Sequence, residues 1–410
     1  MRERRWFAVA AAATVAACAP RAPATTADVA SVRDSAGIRI VTARERAWAP
    51  GAAWSVDPAP AVDIADTSAG GLIGVVGAVR LSDGRIAAAD AATGLIHVYA
   101  SDGRPLYTFG GKGKASGQFQ RLWGLFLGQA DTMVAFDLAS ATLTRFDPNG
   151  ALVDTTQVAA PAGTNGLLAV AADGPRVVLA SDETPVPFPG AAWSVRTDSS
   201  LVLVQGAHGT APDTVGRFVS GEVFGLPVHG AGDTTRVLVP ANRPFGRVTS
   251  YALVGDTVWV GMPAAFAATA YVHGRPVRIL RVDQPVQVLG PEAIAAFRRA
   301  RTAAPAGPAD PVGSALTAGL DSIPFPDYLP AFGRMLADPA GALWFQGVGD
   351  STRTWRILGR DGRWIGTVTL PEGFTIETIE PDAVLGVFGD STMRRPRVRV
   401  YRLRRPAGGN

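Results

Sequence analysis

Short runs in which apolar and polar residues alternate recur along most of the chain, and turn-forming residues separate them. In residues 76–110 this pattern predicts four strands, at 76–81, 85–89, 95–100 and 105–109. The sequences SDG and SDGR between them provide residues suited to the positive φ angles of tight hairpin turns. The stretch is therefore predicted to form a four-stranded antiparallel meander.

A second pattern is an aspartate followed within a few residues by an apolar strand. It occurs at Asp83, Asp131, Asp173, Asp256, Asp338 and Asp382, with successive spacings of 48, 42, 83, 82 and 44 residues. Three spacings match one four-stranded unit, and two leave room for an insertion of about 40 residues. The six markers predict an all-β, six-bladed β-propeller over residues 32–405, with insertions at about 183–235 and 283–330. Residues 406–410 are expected to be a disordered tail.

The ends of a propeller must close into a ring. The alternating segment 36–43 is predicted to pair with the C-terminal strand 397–403. Seven arginines lie at positions 394, 395, 397, 399, 402, 404 and 405, and we interpret them as the solvated face of an edge strand. A nucleic-acid partner is not expected, because the net charge of +4 is small for 410 residues.

The insertion at 283–330 begins with a helical pattern. Pro291 suits the first helical position, Glu292 the first turn, and Ile294 and Phe297 form a short apolar stripe. This predicts a short helix followed by an irregular, proline-rich segment. The insertion is either a lid or partner surface at one mouth of the ring, or a flap packed on the surface.

The N-terminus has the pattern of a secretory signal. A basic start precedes an apolar run too short to span a bilayer, and Val15-Ala16-Ala17-Cys18 matches a bacterial lipobox. We predict a signal peptide at 1–17, lipid attachment at Cys18, which is the single cysteine, and a flexible Ala/Pro/Thr tether over 18–31. The protein is thus expected to be exported and anchored by lipid in the bacterial cell envelope, facing the periplasm or the cell surface.

The sequence also resembles a known group of proteins. The run LSDGRIAAAD…IHVYASDGRPLYTFGGKGKASGQFQ is similar to blades of NHL-type propellers. Together with VRDSAGIRIV, PFGR, GALWFQG and VLGVFGD…VRVYRL, it resembles bacterial six-bladed, NHL-like or TolB-like propeller lipoproteins of the envelope. The resemblance covers nearly all of the mature chain and implies a fold, but it implies no particular activity.

One loop has residues suited to ligand binding. Arg243, Phe245 and Arg247 could hold an anionic or sugar ligand by charge and stacking. Alternatively, they form a strand with exposed arginines. The six tryptophans at strand positions, which are Trp123, Trp193, Trp259, Trp344, Trp355 and Trp364, are expected mostly to pack between blades.

No catalytic, cofactor-binding or metal-binding residue is predicted. Asp90, Asp137 and Asp182 recur at strand ends, where aspartate usually caps the following turn, and His97 is expected to face solvent. The chain lacks the usual hydrolase and metal motifs. We therefore expect a non-enzymatic binding or scaffold module whose partner is an envelope protein or a glycan. The alternative is a metal-dependent hydrolase or lactonase acting in the central channel.

Overall fold

The computed structural model describes residues 30–44, 53–68, 70–206, 210–229, 236–303, 310–349, 352–389 and 395–405. The predicted signal peptide, Cys18, the tether up to residue 29 and the tail at 406–410 lie outside these ranges, as does His208. The last residues of the predicted tether begin the first strand.

The described residues form six sheets, numbered here in chain order. Four N-terminal strands come first: β1 (Ala30–Ser35), β2 (Ile38–Ala43), β3 (Ser55–Val56) and β4 (Val62–Ile64). Sheet 1 contains β5 (Val75–Arg80), β6 (Ile86–Asp90), β7 (Leu95–Tyr99) and β8 (Pro105–Gly110). Sheet 2 contains β9 (Leu122–Leu127), β10 (Met133–Asp137), β11 (Thr142–Phe146) and β12 (Leu152–Gln157).

The remaining sheets carry additional strands and two helices. Sheet 3 contains β13 (Gly166–Asp173), β14 (Arg176–Asp182), β15 (Val195–Gln205), β16 (Asp213–His229) and β17 (Arg236–Asn242). Sheet 4 is built on β18 (Ser250–Val254), β19 (Thr257–Gly261), β20 (Ala267–Val272) and β21 (Arg275–Val282). The helices α1 (Pro291–Ala303) and α2 (Pro311–Ala318) follow. Sheet 5 contains β22 (Met335–Ala337), β23 (Leu343–Gln346), β24 (Thr354–Leu358) and β25 (Trp364–Thr369), and sheet 6 contains β26 (Phe374–Ile379), β27 (Ala383–Phe388) and β28 (Arg397–Arg404).

The first strands of the sheets stand side by side around a common axis. β5 contacts β9, β9 contacts β13, β13 contacts β18, β18 contacts β22, and β26 contacts β5. Between sheets 5 and 6, the guanidinium of Arg334 donates a hydrogen bond to the carbonyl oxygen of Ile376 at 2.9 Å. Small sheets packed around an axis through their first strands make the fold an all-β propeller.

The core lies in the wedges between neighbouring sheets. Residues that alternate along each strand pack against one neighbouring sheet or the other, as Trp344 and Ile376 do between sheets 5 and 6. In sheet 1 all four predicted strands form within one residue of their expected limits. Gly84 lies in the turn between β5 and β6, and Gly103 in the turn between β7 and β8. Each has a φ of 89°, as the SDG sequences predict.

The ring closes differently from the prediction. β2 pairs in parallel with β21 and adds to sheet 4, with β1 beyond it, and so the pairing of 36–43 with 397–403 was wrong. The outer edge of β28 is instead covered by β3 and β4. Alternation of apolar and polar residues shows that a segment is a strand, but it does not show which strand pairs with it. Pairing with β21 or with β28 could equally bury the side chains of Val41 and Ala43.

The C-terminal arginines are held in ion pairs, because β28 is not an edge strand. Asp63 on β4 pairs with Arg397 at 2.7 Å and with Arg399 at 3.1 Å. Asp57, which follows β3, pairs with Arg404 at 2.5 Å. The prediction of an edge strand was therefore wrong, and these three arginines join the two ends of the chain, although Arg404 remains exposed to solvent.

The predicted insertion at 183–235 was also wrong in part. This segment holds β15 and β16, which are the outer strands of sheet 3. Their alternation is obscured in the sequence because the register shifts twice, between Asp198 and Ser199 and between Val202 and Leu203. What is added to the sheet is an outgrowth, defined here as residues 223–229 of β16 together with β17, which pair with each other.

The helical insertion is confirmed, and it contains more helix than the sequence predicts. α1 covers the predicted helix, whereas α2 lies in the segment predicted to be irregular. Asp310 caps α2 by accepting a hydrogen bond from the Gly313 amide at 2.8 Å. Leu316 of α2 packs with Phe224 and Leu226 of sheet 3, so the insertion is packed against the outgrowth.

Candidate ligand site in the central cavity

A cavity of about 460 Å³ lies on the axis of the ring. All six first strands contribute to its wall; most of the lining residues are apolar, but polar and apolar groups share the accessible surface about equally. Representative residues, one from each strand, are Val79, Leu125, Ala171, Leu253, Leu336 and Ile379. A partly enclosed cavity lined mostly by apolar residues, with a few charged side chains among them, is a usual form of a small-molecule site.

Four of the first strands carry a β-bulge at the cavity. In each, one residue has no partner on the second strand of its sheet, and the pairing resumes after it. These residues are Val76 in β5, Trp123 in β9, Val170 in β13 and Glu377 in β26. All four line the cavity. We call them the bulge residues.

The bulges explain how side chains reach the axis. In a regular strand, successive side chains point into the wedges on either side of the sheet. An extra residue interrupts this alternation and redirects a side chain. The first strands of sheets 4 and 5 keep a regular register. Arg334, directly before β22, adds the one cationic side chain among the residues that line the cavity.

Glu377 and Arg334 are close but do not pair. Among the described residues, the Glu377 carboxyl accepts no hydrogen bond and has no ion-pair partner within 4.0 Å. Burial raises its pKa above the usual range, although the positive charge of Arg334 acts in the opposite direction. Arg334 uses one nitrogen to bind Ile376. The cavity therefore contains an unpaired carboxyl group beside a guanidinium that has donors to spare.

Trp123 provides an aromatic surface at the cavity. Its side chain is 41% exposed, and the guanidinium of Arg121 lies 5.9 Å from its ring centre. The expectation that this tryptophan packs between blades was wrong, because the bulge turns it toward the axis. Trp193 is half-buried and stacks on Phe224 of the outgrowth. The other four are buried as expected: Trp259, Trp344, Trp355 and Trp364.

The remaining acidic groups of the cavity wall are already bonded. The Asp173 carboxylate accepts a hydrogen bond from the Gly255 amide at 2.6 Å. The Asp338 carboxylate accepts bonds from the amides of Ala340 and Ala342 and pairs with Arg405 at 3.1 Å. These aspartates fix the ends of strands, so Glu377 is the acidic group left for a ligand among the described residues of the wall.

The strand-end aspartates cap turns, as predicted. Asp90 accepts hydrogen bonds from the amides of Ile73, Gly74 and Thr93. Asp137 accepts them from the amides of Gln120 at 2.6 Å, Arg121 at 3.1 Å and Ala139 at 2.9 Å. Asp182 accepts one from Thr184 at 3.1 Å. The carboxylates of Asp90 and Asp137 hold the chain where it enters β5 and β9, whereas that of Asp182 caps the turn after β14.

His97 is buried rather than exposed to solvent. Only 3% of the residue is accessible, because both faces of sheet 1 are covered and β7 is an inner strand. Its ring stacks near Tyr99 at 6.3 Å. Burial lowers the pKa of His97, and the charges of Asp90 and Asp66 partly oppose that effect. His229 and His273 are exposed.

Arg243, Phe245 and Arg247 lie away from the cavity wall, next to the outgrowth. Both arginines pair with the buried Glu222, at 2.9 Å and 3.1 Å. The Phe245 ring lies 5.8 Å from that of Phe297 on α1. These contacts attach the helical insertion to sheet 3. A ligand at this loop stays a prediction.

The described residues contain no group of three or more His, Cys, Asp or Glu side chains placed to hold a metal ion. None of their helices is long and apolar enough to cross a membrane.

Comparisons with known proteins add the following. No protein-family model and no curated protein matches the chain. A member of the DUF4221 family from Bacteroides vulgatus superimposes with a TM-score of 0.48 at 7% identity, over 86% of this chain and 98% of that one. A protein of Bacteroides fragilis described as exported gives 0.44 at 11%, over 89% and 99%. A gluconolactonase of Xanthomonas campestris gives 0.41 at 12%, over 81% and 88%. Such low identities bear on the fold alone.

Proposed function

We propose that this chain is an exported, lipid-anchored propeller that binds a small molecule in its central cavity without transforming it. Each of the six sheets is one blade of the ring. The observation that carries this proposal is the placement of the bulge residues, because four independent sheets break their regular pairing where a side chain enters the cavity. Bulges are frequent beside functional sites.

The binding test uses a variant that fills the cavity. Val170→Trp adds bulk at a bulge residue, whereas Val153→Trp adds the same bulk at an exposed position of the outer strand β12. The purified protein is screened against a library of small metabolites by thermal shift. Compounds that raise the melting temperature of the parent and of Val153→Trp should leave the melting temperature of Val170→Trp unchanged. Ligands that bind Val170→Trp unchanged would contradict the cavity assignment.

A metal-dependent lactonase is the alternative that the same experiment must address. The described residues offer no set of three metal-binding side chains for it. Metal analysis of the purified protein and hydrolysis of a sugar lactone discriminate the two functions. A stoichiometric divalent ion, with turnover that disappears in Val170→Trp, would favour the enzyme.

The anchor has a separate test. We propose that Cys18 carries the lipid and that residues 18–29 connect it to β1 at the outer edge of sheet 4. Twelve residues reach at most about 40 Å when extended, which keeps the ring close to the membrane. Cys18→Ser should move the protein from the membrane fraction to the supernatant after cell lysis. Retention in the membrane fraction would overturn the lipoprotein proposal.

A further inference from the structure

The ligand class can be argued from the two charged residues of the cavity. Arg334 and Glu377 come from neighbouring sheets and reach the same cavity. They are not an ion pair, since no oxygen of Glu377 lies within 4.0 Å of a guanidinium nitrogen among the described residues. Glu377 is half-buried at the cavity, and without a protein partner its carboxyl must be satisfied there by water, a proton or a ligand.

We propose, on the basis of the proposed cavity function, that the ligand is an organic carboxylate held between the Arg334 guanidinium and the protonated carboxyl of Glu377. In this arrangement the guanidinium donates to the ligand anion, and the Glu377 hydroxyl donates to it as well. The apolar residues of the wall and the exposed face of Trp123 accommodate the organic part of the ligand. At a pH at which Glu377 is ionised in the free protein, binding then takes up one proton.

An anion fits this end of the cavity better than a cation does. Arg334 lines the wall, and Arg121 lies over Trp123. These charges favour the approach of an anion by electrostatic steering. A protonated Glu377 removes the one unpaired negative charge that would repel the anion.

The other titratable groups of the wall do not compensate Glu377. β5 contributes valines, and β9 contributes Trp123. Tyr251 on β18 stays neutral, because burial raises its pKa. Asp173 on β13 and Asp338 after β22 are bonded as described above. On the same strand as Glu377, Glu380 pairs with Arg80 at 2.5 Å. Arg334 is thus the charged group that acts on Glu377, and the raised pKa of the carboxyl agrees with proton uptake.

Calorimetric titration of the purified protein tests the proposal. The probes are hexanoate, hexylamine and hexyl phosphate, which share one chain length. Each titration is run between pH 5 and pH 8 in two buffers of different ionisation enthalpy, so that the number of protons taken up is measured directly. Hexanoate should bind most tightly. Its affinity should fall by up to about tenfold per pH unit once Glu377 ionises in the free protein.

Two variants and one control identify the residues. Glu377→Gln retains a donor like that of the protonated acid, so hexanoate should still bind, without proton uptake and without pH dependence. Arg334→Gln should weaken binding by at least about tenfold. Glu372→Gln, whose side chain is 90% exposed, should match the parent.

Several results would overturn this inference. They are tighter binding of hexylamine or of hexyl phosphate, hexanoate binding that neither weakens nor takes up protons anywhere up to pH 8, loss of hexanoate binding in Glu377→Gln, and no binding of any probe. None of them removes the proposed function by itself. If library compounds still bind the parent and fail with Val170→Trp, the cavity remains the binding site and its ligand is not a carboxylate.

Discussion

The first strands of the sheets contribute to two regions, the wedges between sheets and the wall of the cavity, and the two regions differ in how regularly their side chains alternate. In β26, Phe374 and Ile376 are buried in a wedge, whereas Glu377 departs from the pairing and borders the cavity. The wedges follow the period of two that a sheet imposes. The cavity wall depends on interruptions of that period. Stability and ligand binding are therefore assigned to different residues of the same strands.

The largest expected difference compares two tryptophans, one from each region. Trp344 is fully buried and packs on Trp54 with 5.9 Å between ring centres. Trp344→Ala should lower the free energy of unfolding by about 3–5 kcal/mol, because it leaves a large hole in the core. Trp123→Ala should cost less than about 1 kcal/mol, because the side chain already borders open space. Denaturant unfolding measures both, and equal losses would remove the distinction between the regions.

The next prediction concerns the carboxylates that fix the start of the inner strands. Asp137 is buried and accepts three amide hydrogen bonds, two of them from Gln120 and Arg121 just before Trp123. Asp137→Ala should cost about 2 kcal/mol, since those amides lose their acceptor. The control Asp102→Ala removes an exposed turn aspartate and should change stability by less than about 0.5 kcal/mol. If Asp137→Ala behaves like this control, the capping role is not significant.

A titration sharpens the comparison, because a wedge also contains an acid. Burial raises the pKa of Glu380 to about 7, although its contact with Arg80 lowers it. The unfolded chain releases this proton near the usual value of 4.5, so the contribution of Glu380 to stability falls as the pH rises from there through about 7. Glu380→Gln should therefore be more stable than the parent at pH 8, by about 1 kcal/mol, and not at pH 4.

Thermal unfolding across this pH range measures the difference for Glu380. The exposed Glu372→Gln serves as the matched control and should follow the parent curve. A gain in Glu380→Gln that is the same at pH 4 and pH 8 would show that the titration of Glu380 is not its cause.

The smallest expected effect is at the cavity wall. Val170→Thr, at a bulge residue, should change the free energy of unfolding by less than about 0.5 kcal/mol, because the new hydroxyl can reach water in the cavity. The same change at Val178, which is fully buried in the wedge between sheets 3 and 4, should cost about 1–2 kcal/mol. Chemical denaturation of the two variants compares them directly, and a larger loss at Val170 would reverse the assignment.

The sequence predicts the wedges well and the cavity wall poorly. The strands of sheet 1 and the start of α1 follow from alternation, turn residues and the position of Pro291, because each of these signals is local. The pairing of β2 depends on which edge is available after the ring has formed, and no local pattern contains that information. The same limit applies to β3 and β4, which are too short to show a period.

Glu377 illustrates why the site was missed. A bulge residue breaks alternation, so its side chain direction cannot be read from its neighbours. A weak signal exists in two cases, since Gly77 and Gly124 directly follow Val76 and Trp123. At Gly77 a side chain would come within 2.7 Å of the Leu125 backbone, which shows how closely the first two inner strands approach. Arg334 offered no signal, because it lies in the loop before a three-residue strand.

The pairing of the N-terminal strands with later strands has a consequence for how the protein folds. β2 pairs with a strand about 240 positions later, and β4 pairs with the last strand of the chain. Until those later strands are available, β1 and β2 can pair only with each other, and β3 and β4 lack their partner. Contacts of such long sequence separation slow folding and leave strand edges open in the meantime. Because β3 and β4 pair with the last strand, a chain that ends before β28 cannot join its two ends in sheet 6.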